Sequence, residues 1–172
     1  MKHDFFQEVE HVSDIVDDLM TFFIESRQEA IIYHDFVSKV IPREIFLRDL
    51  FLSSIYKKYP FNAALLIMEP ETIYNWHSDG ERRATINMLV NDAESICIFM
   101  DPDEEQGMVN HITELEYRPM SYYLFNTEHR HLSINQSAKP RFLFSVEFHS
   151  KEDGSLVDYK DLQIENELFD LN

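Results

Sequence analysis

The chain has one cysteine in 172 residues, which excludes an internal disulfide. Cys97 lies in the apolar stretch Ser95-Ile96-Cys97-Ile98-Phe99 and reads as a buried strand thiol in a reducing compartment, with the cytoplasm as the expectation. Basic side chains are also scarce: 15 Lys and Arg stand against 32 Asp and Glu, a formal net charge of −17. That balance repels nucleic-acid phosphates and anionic lipid, and no basic cluster offsets it, so neither nucleic acid nor membrane is expected as a partner. No apolar run approaches the length of a bilayer span, and the opening Met1-Lys2-His3-Asp4-Phe5-Phe6 lacks the apolar centre of a signal peptide. A soluble protein is expected. Internal repeats, low-complexity segments and a Ser or Cys nucleophile constellation are all missing, since Cys97 has no evident activating base beside it. Asn135-Gln136-Ser137 matches the glycosylation sequon, but without a secretion signal it is a chance match.

What remains is globular: 44% hydrophobic and 13% aromatic content, in a length that fits one domain spanning 1–172. Phe5, Val9, Val12, Val16, Leu19 and Phe23 recur at steps of four and three, predicting an amphipathic helix over 4–24, with Asp4 and Gln7 placed as a capping box. A short strand is expected at 31–36, then a helix from Pro42 to about Lys58, so 1–60 reads as mostly helical support. The texture then changes. Strands are predicted at 63–68, 73–79, 84–90, 95–99, 121–125, 131–135 and 141–148, a spacing that suggests a closed or sandwiched β core over 61–149. The acidic stretch 101–107 does not have EF-hand spacing and reads as a solvated loop. The acidic tail, 150–172, is compatible with a helix, a sheet edge or a homo-oligomer contact.

The chemistry starts at Tyr74-Asn75-Trp76-His77-Ser78-Asp79. Side chains alternate along an extended segment, so His77 and Asp79 share a face and can converge on one metal ion. A second imidazole is available downstream, from His129 or His131. Strand parity favours His131, which shares a face with Ser133 and Asn135, and leaves His129 at the pocket mouth. Two histidines and one carboxylate are the ligand set of non-haem iron(II) oxygenases. Ten residues after His131, Arg141 opens the next strand, and its planar guanidinium matches a carboxylate bidentately.

The order Tyr74-x-x-His77-x-Asp79, Phe125-Asn126, His131-x-x-x-Asn135 and Arg141 resembles the iron(II) and 2-oxoglutarate-dependent dioxygenase superfamily, near its prolyl and aspartyl/asparaginyl hydroxylase-like branches. The likeness spans roughly 31–149 and includes Arg83 to Leu89 and Arg118-Pro119. It departs at turns, with Met120-Ser121 and Ala93-Glu94-Ser95 where glycines are usual, and at Leu143, where some relatives carry a serine. The resemblance implies a double-stranded β-helix, or jelly roll, cupin-like and mainly β, with the N-terminal helices packed on one sheet. It implies iron(II) held by His77, Asp79 and His131, 2-oxoglutarate anchored by Arg141, and O2 as the oxidant. Asn87, inward by parity, is the candidate to complete the cosubstrate site, with Ser145 as a weaker one. The implied activity is hydroxylation of an amino-acid, peptide or small-metabolite substrate, with formation of succinate and CO2. The competing readings are a cupin-like metal or small-ligand binding protein without oxygenase activity, and a cupin-type isomerase or dioxygenase that does not use 2-oxoglutarate. Neither needs a carboxylate fork at Arg141.

Other residues have plainer readings. Tyr74 and Trp76 are expected to pack rather than stack on substrate. Arg82 and Arg83 read as surface ion-pair formers, with an anionic-substrate clamp as the alternative. His3, His11, His34, His111 and His149 are read as ordinary surface or core histidines.

Overall fold

Every residue of 84–89 is buried, the pattern of a strand covered on both faces. The computed structural model describes residues 4–26, 29–33, 36–103 and 108–170 and shows what covers it. The strands are β1 (Phe6–Val12), β2 (Ile31–Tyr33), β3 (Phe36–Ile41), β4 (Phe61–Met68), β5 (Thr72–His77), β6 (Ala84–Leu89), β7 (Ser95–Asp103), β8 (Met108–Glu116), β9 (Ser121–Asn126), β10 (Arg130–Asn135) and β11 (Arg141–Phe148). The helices are α1 (Val16–Glu25), α2 (Arg43–Phe46), α3 (Leu50–Lys58) and α4 (Tyr159–Asp170). Two antiparallel sheets result, one of seven strands in the order β1-β9-β6-β11-β4-β3-β2 and one of four in the order β5-β10-β7-β8. This is a mainly β, cupin-like jelly roll, as expected.

Alternation along the central strands divides the core in two. Ile86, Met88, Phe144 and Val146 face the helices, where they join Leu19, Phe51, Ile55 and Leu162. Leu89, Leu143 and Phe125 face the smaller sheet, against Cys97, Phe99 and Leu115. The candidate site occupies the open end of this second layer.

The N-terminal reading needs correction. Residues 6–12 are not helical; they form β1, paired with β9 as Phe6↔Phe125, Gln7↔Leu124 and Glu8↔Tyr123. A helix would put Phe5 and Val9 on one face, whereas Phe5 enters the inter-sheet core and Val9 the helix-facing one. The register shift between Glu8 and Val12 breaks the strand alternation, which is why the spacing imitated a helix. Asp4 and Gln7 therefore cap nothing. The helix expected from Pro42 is two helices, because buried Asp49 caps a new one by accepting from the Leu52 N–H at 3.0 Å. The first 60 residues thus supply three strands to the larger sheet as well as helices. The expected 31–36 strand is the β2–β3 hairpin, whose residues 34 and 35 lie outside the described residues, as do His3 and 104–107 of the acidic stretch. Residues 101–103 end β7, and β8 has no counterpart among the predicted strands. The acidic tail forms α4, whose Leu162 is fully buried and whose Glu165 pairs with Lys58 of α3.

Candidate functional site

The register of β5 against β10 sets His77 opposite His131 and Tyr74 opposite Ser133. Between those pairs β5 has one residue more than β10, a bulge that brings side chains three apart to one face. Tyr74 and His77 consequently both reach the interior, with ring centroids 4.3 Å apart. The His77 and His131 rings lie 4.2 Å apart at 59°.

Each imidazole is oriented by a backbone carbonyl two residues earlier. His77 Nδ1 lies 2.7 Å from the Asn75 oxygen and His131 Nδ1 2.9 Å from the His129 oxygen. A carbonyl oxygen only accepts, so each Nδ1 is an N–H, and in the neutral ring Nε2 is the nitrogen that keeps the lone pair. That is the tautomer required of a metal-ligating imidazole, fixed by the hydrogen bond on the far nitrogen. Burial holds His131 down at about 4; the neighbouring His77 acts in the same direction, and the His129 carbonyl and Asp79 oppose it. The ring is neutral at physiological pH.

Asp79 reaches the same cavity by a different route from the one its spacing predicted. β5 ends at His77, and Asp79 sits in the following loop, its N–H donating to the Thr127 oxygen at 3.0 Å. Its Oδ2 accepts from Arg82 Nε at 2.9 Å and Nη2 at 2.8 Å. His77, Asp79 and His131 line one narrow cavity of about 60 Å³. With the carboxylate turned to Arg82, no three His, Cys, Asp or Glu side chains among the described residues are grouped to hold an ion.

Arg141 lies in the same cavity. It is 1% exposed, its Nη1 faces Met68 Sδ at 3.7 Å, and its Cζ lies 5.1 Å from the centre of the Tyr117 ring. Among the described residues, Nε and Nη2 have no hydrogen-bond partner. Burying a cation with unsatisfied donors costs several kcal/mol, so a guanidinium in this state is chemically suited to receive an anion. Burial also pushes Tyr117 well above the usual phenol range and Cys97 up to about 12, in each case against the nearby Arg141 charge. Burial thus favours the thiol form of Cys97. Asn87 faces the cavity from β6, 6% exposed, with Oδ1 unpaired among the described residues. Ser133 and Ser145 supply further hydroxyls.

The structure therefore brings His77, Asp79, His131, Arg141 and Asn87 together around one cavity. His129 does not line it: its ring packs edge-on against Phe5 at 4.7 Å. Asn135 lies below it as a buried clasp, donating to the Met68, Glu69 and Lys139 carbonyls and accepting from Ser137. Arg83 is on the surface, 3.7 Å from Glu128, as expected. Tyr117, Phe36 and Leu66 also line the cavity and were not singled out in the sequence. Phe36 packs on Tyr74 at 4.5 Å, so that tyrosine both packs and lines the site.

No family model matches the chain, and no curated protein matches it. Solved structures do. The non-heme alpha ketoglutarate dependent epimerase SnoN from nogalamycin biosynthesis superimposes with a TM-score of 0.65, at 12% identity, over 85% of this chain and 78% of its own. A Pseudomonas putida prolyl-4-hydroxylase gives 0.60, also at 12%, over 85% and 92% of the two chains. The non-heme alpha ketoglutarate dependent carbocyclase SnoK from the same biosynthesis gives 0.57 at 12%, over 83% and 78%. At this identity the likeness is one of fold.

Proposed function

We propose that the protein is a non-haem iron(II) oxygenase that uses 2-oxoglutarate as cosubstrate and hydroxylates a small molecule or peptide. The observation that carries this reading is Arg141, a buried guanidinium with two nitrogens unpaired among the described residues, in the cavity of His77 and His131. A dicarboxylic oxo acid supplies what both parts lack: one carboxylate for the fork and a chelating end for a metal. The donor set fits iron(II) in kind, with two imidazoles oriented to present Nε2 and a carboxylate in the same recess. His77, Asp79 and His131 would hold the metal, and Arg141 the far carboxylate. Asn87 lies within the same recess as a further polar group for the cosubstrate.

Iron(II) bound there would supply the redox centre at which O2 and 2-oxoglutarate are converted to succinate and CO2 while a substrate C–H becomes C–OH. The chain's own part is placement and shielding. The Asn75 and His129 carbonyls keep both imidazoles in the ligating tautomer. Arg141 neutralises one charge of the oxo acid in a water-poor pocket, and Phe125, Leu143 and Leu66 keep solvent from its carbon chain.

One observation favours the competing reading of a metal or ligand binder without oxygenase activity: Asp79 is engaged by Arg82 rather than grouped with the histidines. A single experiment separates the two. Anaerobic addition of iron(II) and then 2-oxoglutarate should produce a weak visible charge-transfer band in the parent protein, lost in Arg141→Ala and His131→Ala. Admission of O2 should then release succinate. A parent protein without the band at saturating concentrations would refute the cosubstrate assignment, and a band without succinate would support the binder.

A further inference from the structure

The inner face of the larger sheet carries a ladder of side chains that leads out of the cavity. β11 and β4 pair as Arg141↔Met68, Leu143↔Leu66, Ser145↔Ala64 and Glu147↔Asn62. Arg141 and Leu143 are buried, Ala64 is half-buried, and Asn62 and Glu147 are exposed. β3 extends the face with Ser38 opposite Leu66 and Val40 opposite Ala64, and β2 adds Ile31 opposite Ser38. Over these residues lies a groove of about 330 Å³. It shares Leu66, Arg82 and Ser145 with the cavity of His77, His131 and Arg141, so the two recesses adjoin.

The lining states what the groove accepts. Ala64, Ser38 and Ser145 make it concave, Ile31, Val40 and Leu66 make it apolar, and its volume falls in the range of small-molecule pockets. Two charges touch it. Arg82 already has both Nε and Nη2 on Asp79. Glu147, at the exposed end, has no ion-pair partner among the described residues, and the chain's net charge of −17 reinforces its sign.

We propose that this groove is the substrate channel of the site and that it takes a small molecule with an aliphatic body and a cationic end. The assignment as a channel rests on the oxygenase reading above. The aliphatic end enters toward Leu66 and His77, and the cation stays at Glu147. The C–H bond nearest the cavity is the one converted to C–OH, with one atom of O2 entering the product and the other leaving in succinate as 2-oxoglutarate loses CO2.

Hexylamine, hexanol and hexanoate, titrated into the full chain and followed by NMR shift perturbation, test this directly. Hexylamine should bind about ten-fold more tightly than hexanoate, with hexanol between, since an exposed carboxylate attracts the ammonium and repels the carboxylate only modestly. Glu147→Gln should bring hexylamine to the level of hexanol. Ala64→Phe and Val40→Phe, which fill the groove from two strands, should abolish binding of all three probes while 2-oxoglutarate still binds. Hexanoate binding as tightly as hexylamine, or probe binding unaffected by both filling variants, would overturn the proposal. If 2-oxoglutarate fails to bind while the probes behave as expected, the oxygenase reading falls and the groove stands as a ligand site only. The reverse result removes the groove and leaves the oxygenase reading intact.

Discussion

Both Nε and Nη2 of Arg82 are directed at a single oxygen of Asp79, at 2.9 and 2.8 Å. The pair is partly exposed, at 25% and 21%, so it is worth no more than about 1 kcal/mol. It nevertheless competes with a metal for the carboxylate, and the Arg82 charge is close enough to help hold the His131 ring unprotonated. Arg82→Gln should therefore tighten binding of Mn(II), a redox-inert stand-in for iron(II), by up to about five-fold. Asp79→Ala should weaken it by far more. Mn(II) titration read by electron paramagnetic resonance measures both. Weaker binding in Arg82→Gln would show that the arginine orients the carboxylate for the metal rather than diverting it.

Arg141 sets up the opposite relation between stability and function. Its guanidinium is buried with two nitrogens unpaired among the described residues, which a chain without ligand must sustain. Arg141→Met keeps the side-chain volume and removes the charge, so the free protein should be as stable as the parent or more so, by about 1–4 kcal/mol. The ligand response should vanish. In the parent, 2-oxoglutarate at about a hundred times its Kd raises unfolding free energy by about 2.7 kcal/mol. Urea titrations of both proteins with and without 2-oxoglutarate give all four values, and a less stable Arg141→Met without ligand would contradict the account.

Away from the site, Asp49 joins β9, α3 and the N-terminal strand. Fully buried, it accepts from the Leu52 N–H, from the Tyr122 hydroxyl at 2.9 Å and from His11 Nε2 at 3.1 Å. Asp49→Ala removes a helix cap and the carboxylate that Tyr122 and His11 both bond, a loss expected at about 2–4 kcal/mol. Tyr122→Phe removes one of the three bonds, and also the hydroxyl's bond to Ser13, and should cost about 1–2 kcal/mol. Denaturant midpoints test the ranking. Equal losses for the two would mean that the cap contributes nothing.

How much of this was legible in the sequence differs from element to element. β6 and β11 announced themselves because central strands covered on two faces leave mostly apolar runs such as Ala84 to Leu89, while β5 was found from its extended Thr72 to His77 run although it lies at a sheet edge. β8 did not: Glu114 and Glu116 alternate with Thr113 and Leu115 on a sheet edge that buries little, and with β8 went Tyr117, the ring against Arg141. β1 was mistaken for a helix because its register shift gives Phe5 and Val9 a four-residue step to two different cores. Within the site, parity was enough for His131 and Asn87, since their strands are regular. It was not enough for Asp79, which leaves the strand, or for Arg82, whose role depends on how the Ser78 to Arg83 loop folds back. Local pattern reports periodicity, and a loop has none.

Acid should act on this protein through His131. The ring ordinarily titrates near 6.5 and is held at about 4 in the fold, chiefly by burial. A lowered folded value means that the unfolded chain takes up the proton first as pH falls. The stabilisation is therefore complete above about 6.5 and is lost progressively between 6.5 and 4. Each tenfold difference in proton affinity between the folded and unfolded chain is worth about 1.4 kcal/mol, so the loss attributable to this residue is about 3 kcal/mol in the metal-free protein. Many carboxylates titrate in the same range, so the residue's share appears only as a difference between two proteins. His131→Gln keeps a polar side chain and cannot take up that proton. Urea unfolding of parent and variant at a series of pH values from neutral down to about 4.5 should give curves that converge or cross toward acid, the parent losing stability faster. Parallel curves would mean that the folded protein accommodates the imidazolium, with Asp79 supplying the countercharge.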